Sequence, residues 1–389
     1  MQGHIHRRVH TTHDGRTTTT WYVVVDAGRD RSGRRRQKWH GGFRTRRAAE
    51  AARAKIVNDI TQGLYVPPTG LTLLAWIEDQ WLPLMKTQVK PSTWDSYSRN
   101  MRLHVLPRIG HRVLQQVNAT MLNELYAALL ADGNARGGGL SPKTVRYIHA
   151  MVHKALSDAM DAGVVNANAA ERARPPKLGK SRIAEMRSWL PGELRTFLDI
   201  IEGTRLQAAW HVAALTGMRR GEVLGLRWRD VDMEHARLSV RHTIVSVAYE
   251  VRSSTPKTHQ ARVIDLDAGT IEQLRAHHQR QAAERAEWKD DYGDRELVFC
   301  RENGSPIHPD SFSQSFERIV ARSKLPRIRL HDLRHTHATI ALRAGVPVKV
   351  ISERLGHESP AFTMKQYAHV LPGMQAEAAS RIAGLVTGA

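Results

Sequence analysis

The sequence predicts a mainly α protein with small β elements, an α+β chain built in three units, and three observations carry that prediction. A stretch rich in Thr, Val and aromatic residues near the start alternates like a strand. From Leu71 to Arg174, apolar residues recur at helical spacing. Beyond Pro175-Pro176, helical patterns resume but are interrupted by two alternating, strand-like runs. With 389 residues, 41% of them hydrophobic and 25% charged, the chain can bury a sizeable core, which excludes wholesale disorder.

The first unit spans 1–66. Thr17 to Asp26 reads as a strand, Asp30-Arg31-Ser32-Gly33 as a turn, and Arg35 to Trp39 as a second short strand. Gly41-Gly42 then leads to an Ala-rich helix from about Thr45 to Ile60, stopped near Gly63. A small sheet backed by one helix is the economical arrangement. Up to Pro68 the segment holds 14 Lys and Arg against 5 Asp and Glu, nearly half of the chain's net charge. Arg34, Arg35 and Arg36 fit a solvated turn, but such density on a small β-module favours a sheet that faces nucleic acid.

The second unit, 70–175, is predicted to be all helical. Pro91-Ser92-Thr93 starts one helix, with Ser92 or Thr93 as its cap and Trp94, Tyr97 and Met101 along it. Leu140-Ser141-Pro142-Lys143 opens another, with Val145, Ile148, Val152, Leu156 and Met160 on the core side. Pro175-Pro176-Lys177 with Gly179-Lys180 is a stiff, basic linker. The third unit, 181–389, is long enough for one catalytic domain, α-rich with a β-hairpin.

Composition narrows the partners. Lys and Arg number 58 against 38 Asp and Glu, a formal charge of +20, and the common partner of such a chain is a polyanion. Cys300 is the single cysteine, so an internal disulfide and a multi-cysteine zinc site are excluded. No apolar run reaches the roughly 18 residues of a membrane span, and the N-terminus lacks the apolar stretch of a signal peptide. A cytoplasmic protein without membrane contact is expected.

Four signals in the third unit carry chemistry. In Thr216-Gly217-Met218-Arg219-Arg220-Gly221-Glu222, Gly217 breaks one helix and Arg219 stands at the start of the next. A backbone donor and a guanidinium can share one anion there. Leu238 to Val247 and Arg262 to Leu266 alternate and read as a β-hairpin, whose intervening stretch carries Lys257, either a solvated loop lysine or a proton donor delivered into a groove. His331 and Arg334 sit three apart, on one helix face. His335 and His337 point in different directions on a helix, which argues against a metal. Leu355-Gly356-His357 is followed by Tyr367, either a packing residue or a nucleophile that needs a pre-organised cation cluster. Together, two arginines, a lysine, two histidines and a tyrosine suit attack on a phosphodiester, with the arginines neutralising the transition state.

With these motifs in order, Thr-Gly-x-Arg-x-x-Glu, His-x-x-Arg and Leu-Gly-His…Tyr, the chain clearly resembles the tyrosine recombinases, specifically the phage-type integrases of bacteria. The resemblance places the first catalytic arginine on Arg219 rather than Arg220, because Glu222 lies three positions on. It places the lysine on Lys257, with Lys289 as the other candidate, the His-x-x-Arg pair on His331 and Arg334, the later histidine on His357 and the nucleophile on Tyr367. It implies an arm-type DNA-binding domain over 1–66, a core-binding domain over 70–175 and a catalytic domain over 181–389, the last two closing on DNA as a C-shaped clamp. The tail from Met374 to Val386 reads as an amphipathic helix, of the kind that in relatives docks on a neighbouring subunit.

The activity so implied is site-specific recombination through a 3′-phosphotyrosine and a Holliday junction, integrating or excising a mobile element such as a prophage. No cofactor and no metal is expected. The expected partners are double-stranded DNA attachment sites, further copies of the chain in a homotetramer on DNA, and an excisionase or host DNA-bending protein. Two other readings share the residues: a type IB topoisomerase-like relaxing enzyme, and a catalytically inactive DNA-binding regulator.

Overall fold

The computed structural model describes residues 3–11, 17–29, 35–62, 65–135, 137–178, 187–255, 261–293 and 295–367, with five positions of the tail (379, 383, 384, 386 and 387). The chain divides into two compact units, 1–180 and 181–389. The Asp30–Gly33 turn, Lys257 and most of the tail helix expected at 374–386 lie outside the described residues.

The first unit begins with a three-stranded antiparallel sheet, β1 (His4–Thr11), β2 (Thr17–Arg29) and β3 (Arg35–Phe43), in that order. Sequence reasoning misses β1, because His, Arg and Thr on an exposed edge strand carry no apolar alternation. Helix α1 (Arg46–Thr61) is capped by Thr45, whose hydroxyl accepts from the Ala48 N–H at 3.2 Å. Trp21, Val23 and Val25 alternate along β2 toward a small core with Ala49, Ile56 and Ile60. Trp39 instead is 50% exposed, with its ring 5.1 Å from His6 and 6.0 Å from Tyr22.

A helical region comes next. Helices α2 (Leu73–Ala75) and α3 (Leu82–Gln88) are joined by a π stretch, Trp76–Trp81, and α4 (Pro91–Asn100) and α5 (Leu106–Ile109) by another, Met101–Val105. Neither Ser92 nor Thr93 caps α4. Lys90 occupies that position and its carbonyl accepts from the Thr93 and Trp94 N–H groups, because Pro91, with its fixed φ, takes the first helical place. Helices α6 (Ala119–Asp132) and α7 (Pro142–Asp161) complete the core, with Ser141 capping α7. Val145, Ile148, Val152 and Leu156 are buried as expected. Met160 is exposed in the last turn, and Ala155 and Ala159 close the core face there.

The second unit is α-rich. Helices α8 (Pro191–Ile200), α9 (Gln207–Thr216) and α10 (Arg220–Leu224) precede the strands, and α11 (Ala268–Trp288) and α12 (Pro309–Arg322) succeed them. Then come α13 (Asp332–Arg343), α14 (Val348–Leu355) and α15 (Pro360–Tyr367). The core stacks Trp210 on Phe312 at 4.0 Å and packs Trp189, Phe197 and Phe316 beside them.

The expected hairpin is two structures. β5 (Arg237–Val240) pairs antiparallel with β8 (Arg262–Asp265), and β4 (Val231–Asp232) flanks β5. Between β5 and β8, β6 (Thr243–Val247) and β7 (Glu250–Ser254) form a separate antiparallel pair. The run that alternates like one strand breaks at Arg241-His242, a corner that the alternation conceals because the buried positions Leu238, Val240 and Ile244 stay in phase across it.

Candidate active site

The site is organised around two helix ends. Helix α9 stops at Gly217, whose φ of 64° is the left-handed conformation that favours glycine. A Cβ there would lie 2.6 Å from Leu355 and 2.9 Å from the His337 ring, so the close approach also requires glycine. The turn places Arg219 immediately before α10 and Glu222 in its first turn, where the Glu222 carboxylate accepts from the Arg219 N–H at 2.9 Å.

The second end is the C-terminus of α14, whose last carbonyls have no partner within the helix. Three successive carbonyls are taken by three arginines from distant segments. Arg262 Nε donates to the Arg354 oxygen at 2.8 Å, Arg334 Nη2 to Leu355 at 2.7 Å, and Arg219 Nη2 to Gly356 at 3.1 Å. The other Arg334 amino group, Nη1, donates to the Gly217 carbonyl at 2.7 Å, which ties the two helix ends together. The negative pole of α14 thus gathers cations that would otherwise repel one another.

One carboxylate serves all this charge. Glu222, 2% exposed, accepts from Arg219 Nη1 at 2.9 Å and from Arg262 Nη1 and Nη2 at 3.1 and 2.6 Å. Burial opposes its ionisation, but the Arg262 hydrogen bonds and charge, with those of Arg219, hold its pKa down to about 2. Arg334, 4% exposed, is pulled down to about 9 by burial and then by the neighbouring Arg219 charge. Three guanidiniums face one carboxylate, so the cluster is an electropositive site with capacity for an anion.

The histidines and the tyrosine border this cluster. His331 stands at the start of α13, and burial, then the Arg334 charge, lower its pKa. His357 comes directly after the left-handed Gly356, and its Nδ1 lies 2.7 Å from the Thr363 hydroxyl on α15. Burial, then Arg334 and Arg219, take it to about 3. Tyr367 is 1% exposed and packs with Ala338, Leu342, Ile351 and Leu355. Its hydroxyl lies 2.8 Å from His335 Nδ1, and burial raises its pKa to about 12 against the opposing pull of Arg334.

The structure therefore brings together Arg219, Arg334, His331, His357 and Tyr367. Lys257 lies outside the described residues, between β7 and β8 in the chain. Lys289 begins a short turn after α11. Sequence reasoning misses Arg262 and His335. Arg262 lies in a strand whose sequence shows only alternation, and His335 invites only a metal reading. His335 and His337 do diverge, one toward Tyr367 and the other toward the Gly217 turn. Among the described residues no cluster of three His, Cys, Asp or Glu side chains could hold a metal ion.

Comparison with known proteins finds relatives along most of the chain. Residues 190–373 match the phage integrase family, 10–60 an arm DNA-binding domain, and 77–130 the SAM-like N-terminal domain of phage integrases. The chain is 27% identical over 374 residues to a tyrosine recombinase XerC-like protein of Caldanaerobacter subterraneus subsp. tengcongensis, covering 92% of this chain and 94% of the relative. It is 28% identical over 254 residues to the ICEBs1 integrase of Bacillus subtilis, covering 64% and 67%. In fold it matches the Tn1549 transposon integrase solved with a circular intermediate DNA, with a TM-score of 0.65 at 20% identity over 80% of this chain and 99% of that one. A lambda integrase tetramer on a Holliday junction gives 0.56 at 18% identity over 92% and 94%. The chain belongs to the phage integrase family of tyrosine recombinases.

Proposed function

We propose that this chain is a site-specific DNA recombinase that integrates or excises a mobile element at attachment sites. The observation that carries the reading is the gathering of Arg219 and Arg334 around the α14 terminus, with the Tyr367 hydroxyl near enough for Arg334 to lower its pKa. The two guanidiniums bind the non-bridging oxygens of the scissile phosphate and neutralise charge as the pentavalent transition state forms. The Tyr367 oxygen attacks phosphorus, the bond to the 5′ oxygen breaks, and a 3′-phosphotyrosine results. His331 and His357 contact the phosphate from either side of the arginines. Lys257 protonates the leaving 5′ oxygen, a role supported by the family pattern and by its position five residues before Arg262.

The open face of the N-terminal sheet, with Trp39, Tyr22 and Arg8, suits a DNA arm site, and the helical region suits the core site. We assign these to 1–66 and 70–175, with 181–389 as the catalytic domain. On DNA the chain works as a homotetramer, with an excisionase or a host DNA-bending protein setting direction, in the cytoplasm. No described helix is long and apolar enough to cross a membrane.

The test is incubation with a nicked suicide substrate bearing an attachment site taken from the ends of the element that encodes the chain. A covalent protein–DNA complex that Tyr367→Phe cannot form is expected. Its absence in wild type, or its persistence in Tyr367→Phe, refutes the assignment. Relaxation of supercoils without recombinants would instead identify a type IB topoisomerase-like enzyme.

A further inference from the structure

We propose that His335 takes the phenolic proton of Tyr367 in the cleavage step, a catalytic residue in addition to the six that the family pattern supplies. The inference rests on the recombinase reading above, since it concerns the nucleophile of that reaction. Its basis is contact with the reacting atom. His335 Nδ1 lies 2.8 Å from the Tyr367 hydroxyl oxygen, the ring centroids are 5.8 Å apart, and both side chains are carried on helices of one unit. His331, the histidine of the motif, stands one step further off. Its ring meets that of His335 edge-on at 5.2 Å and 88°, whereas the ring of His335 is the one bonded to the phenol.

The surroundings keep the ring able to accept. Tyr367 faces it from α15 and His357 from the turn after α14, while His331, Asp332, Arg334 and Arg329 come from its own segment. Burial, then the neighbouring His331, hold the ring's pKa to about 4, so it is neutral at physiological pH. A neutral imidazole protonated on Nε2 presents its Nδ1 lone pair to the phenol. Tyr367 titrates near 12, so a free-standing transfer is steeply uphill. Transfer concerted with attack is not, because the phenol grows more acidic as its oxygen bonds to phosphorus. An anionic phosphate beside the arginines also offsets the positive charge that disfavours an imidazolium.

The step balances. The Tyr367 O–P bond forms as the P–O5′ bond breaks, the phenolic proton passes to His335 Nδ1, and the 5′ oxygen takes a proton from Lys257. On rejoining, the imidazolium returns its proton to the departing phenolate.

The experiment is single-turnover formation of the covalent complex on the nicked substrate, with Tyr367→Phe as the blank. A wild-type complex secures the phosphotyrosine chemistry on which the proposal rests, whatever the His335 variants do. His335→Gln keeps hydrogen-bonding capacity without a titrating lone pair, and its rate at pH 7 is expected to fall at least about 100-fold, with unchanged DNA binding by gel shift. His335→Ala is expected to recover at least about tenfold with added imidazole, the rate tracking the basicity of the azole supplied. A His335→Gln rate within about fivefold of wild type, or a His335→Ala deficit that no azole repairs, overturns the proposal. Should both variants lose DNA binding, the pH–rate profiles of wild type and His331→Gln decide. An acid limb that persists in His331→Gln supports His335, and one that disappears overturns it.

Discussion

Glu222 and Arg262, forty residues apart in the chain, meet through two hydrogen bonds of 2.6 and 3.1 Å in a site almost closed to water. The same guanidinium holds the Arg354 carbonyl, so this pair fastens strand β8 to helices α10 and α14 at once. Removing one partner strands the other as a buried charge, which costs about 3 kcal/mol or more. Arg262→Ala is therefore expected to lower unfolding stability by about 3 kcal/mol, and Glu222→Gln by a smaller amount, in urea titrations of the full chain. Arg262→Lys keeps the charge but not the fork, so it should fold while forming the phosphotyrosine bond more slowly.

The cation cluster is incomplete without an anion. Arg219 and Arg262 pair with Glu222 while Arg334 is held by the Gly217 and Leu355 carbonyls, and burial together with the Arg219 charge lowers the pKa of Arg334. Sulfate, phosphate or vanadate should raise the melting temperature in proportion to occupancy. Arg334→Ala should abolish that rise, whereas a chloride control at equal ionic strength should not produce it. A melting temperature indifferent to all three oxyanions would contradict the anion site.

Acid should destabilise the chain in two stages. His337 and His357 have folded pKa values near 4 and 3 against an ordinary 6.5. The unfolded chain therefore binds more protons, and stability falls as pH drops below about 6.5, by at most about 1.4 kcal/mol per pH unit for each ring. The Glu222 contribution is complete above about pH 4.5 and is lost as pH falls through about 2. Denaturant melts from pH 8 to 3 should be flat above 7, and His337→Gln should shallow the decline below 6.5.

Binding should weaken steeply with salt, since each phosphate contact releases counterions. With six to ten contacts, affinity drops by about 10³ to 10⁵ between 50 and 200 mM salt. Deleting residues 1–65 should weaken binding to distal arm sites more than cleavage at the core site. Equal loss of both, in gel shifts and suicide-substrate assays run side by side, would count against the division of labour.

Much of the site is legible in the sequence because its spacing is local. Gly217, Arg219 and Glu222 occupy one turn, and His331 and Arg334 share the start of one helix, so chain order alone places each pair. What escapes is long-range. Nothing near Arg262 in sequence says that it reaches Glu222, or that the α14 carbonyls are where three arginines meet. The corner at Arg241-His242 is invisible because the alternation runs through it in phase. Pro91 looks like the residue ahead of a cap, whereas its own geometry makes it the first helical residue.

Tyr367, the proposed nucleophile, has no open path to bulk solvent, since its side chain is 1% exposed and rests against four aliphatic neighbours. A free protomer is consequently a sheathed blade. A shift of α15 off Ile351 and Leu355 of α14, with the bond to His335 of α13 kept, uncovers the edge, and energy released when the correct duplex is grasped has to drive it. Restraint is thus written into packing.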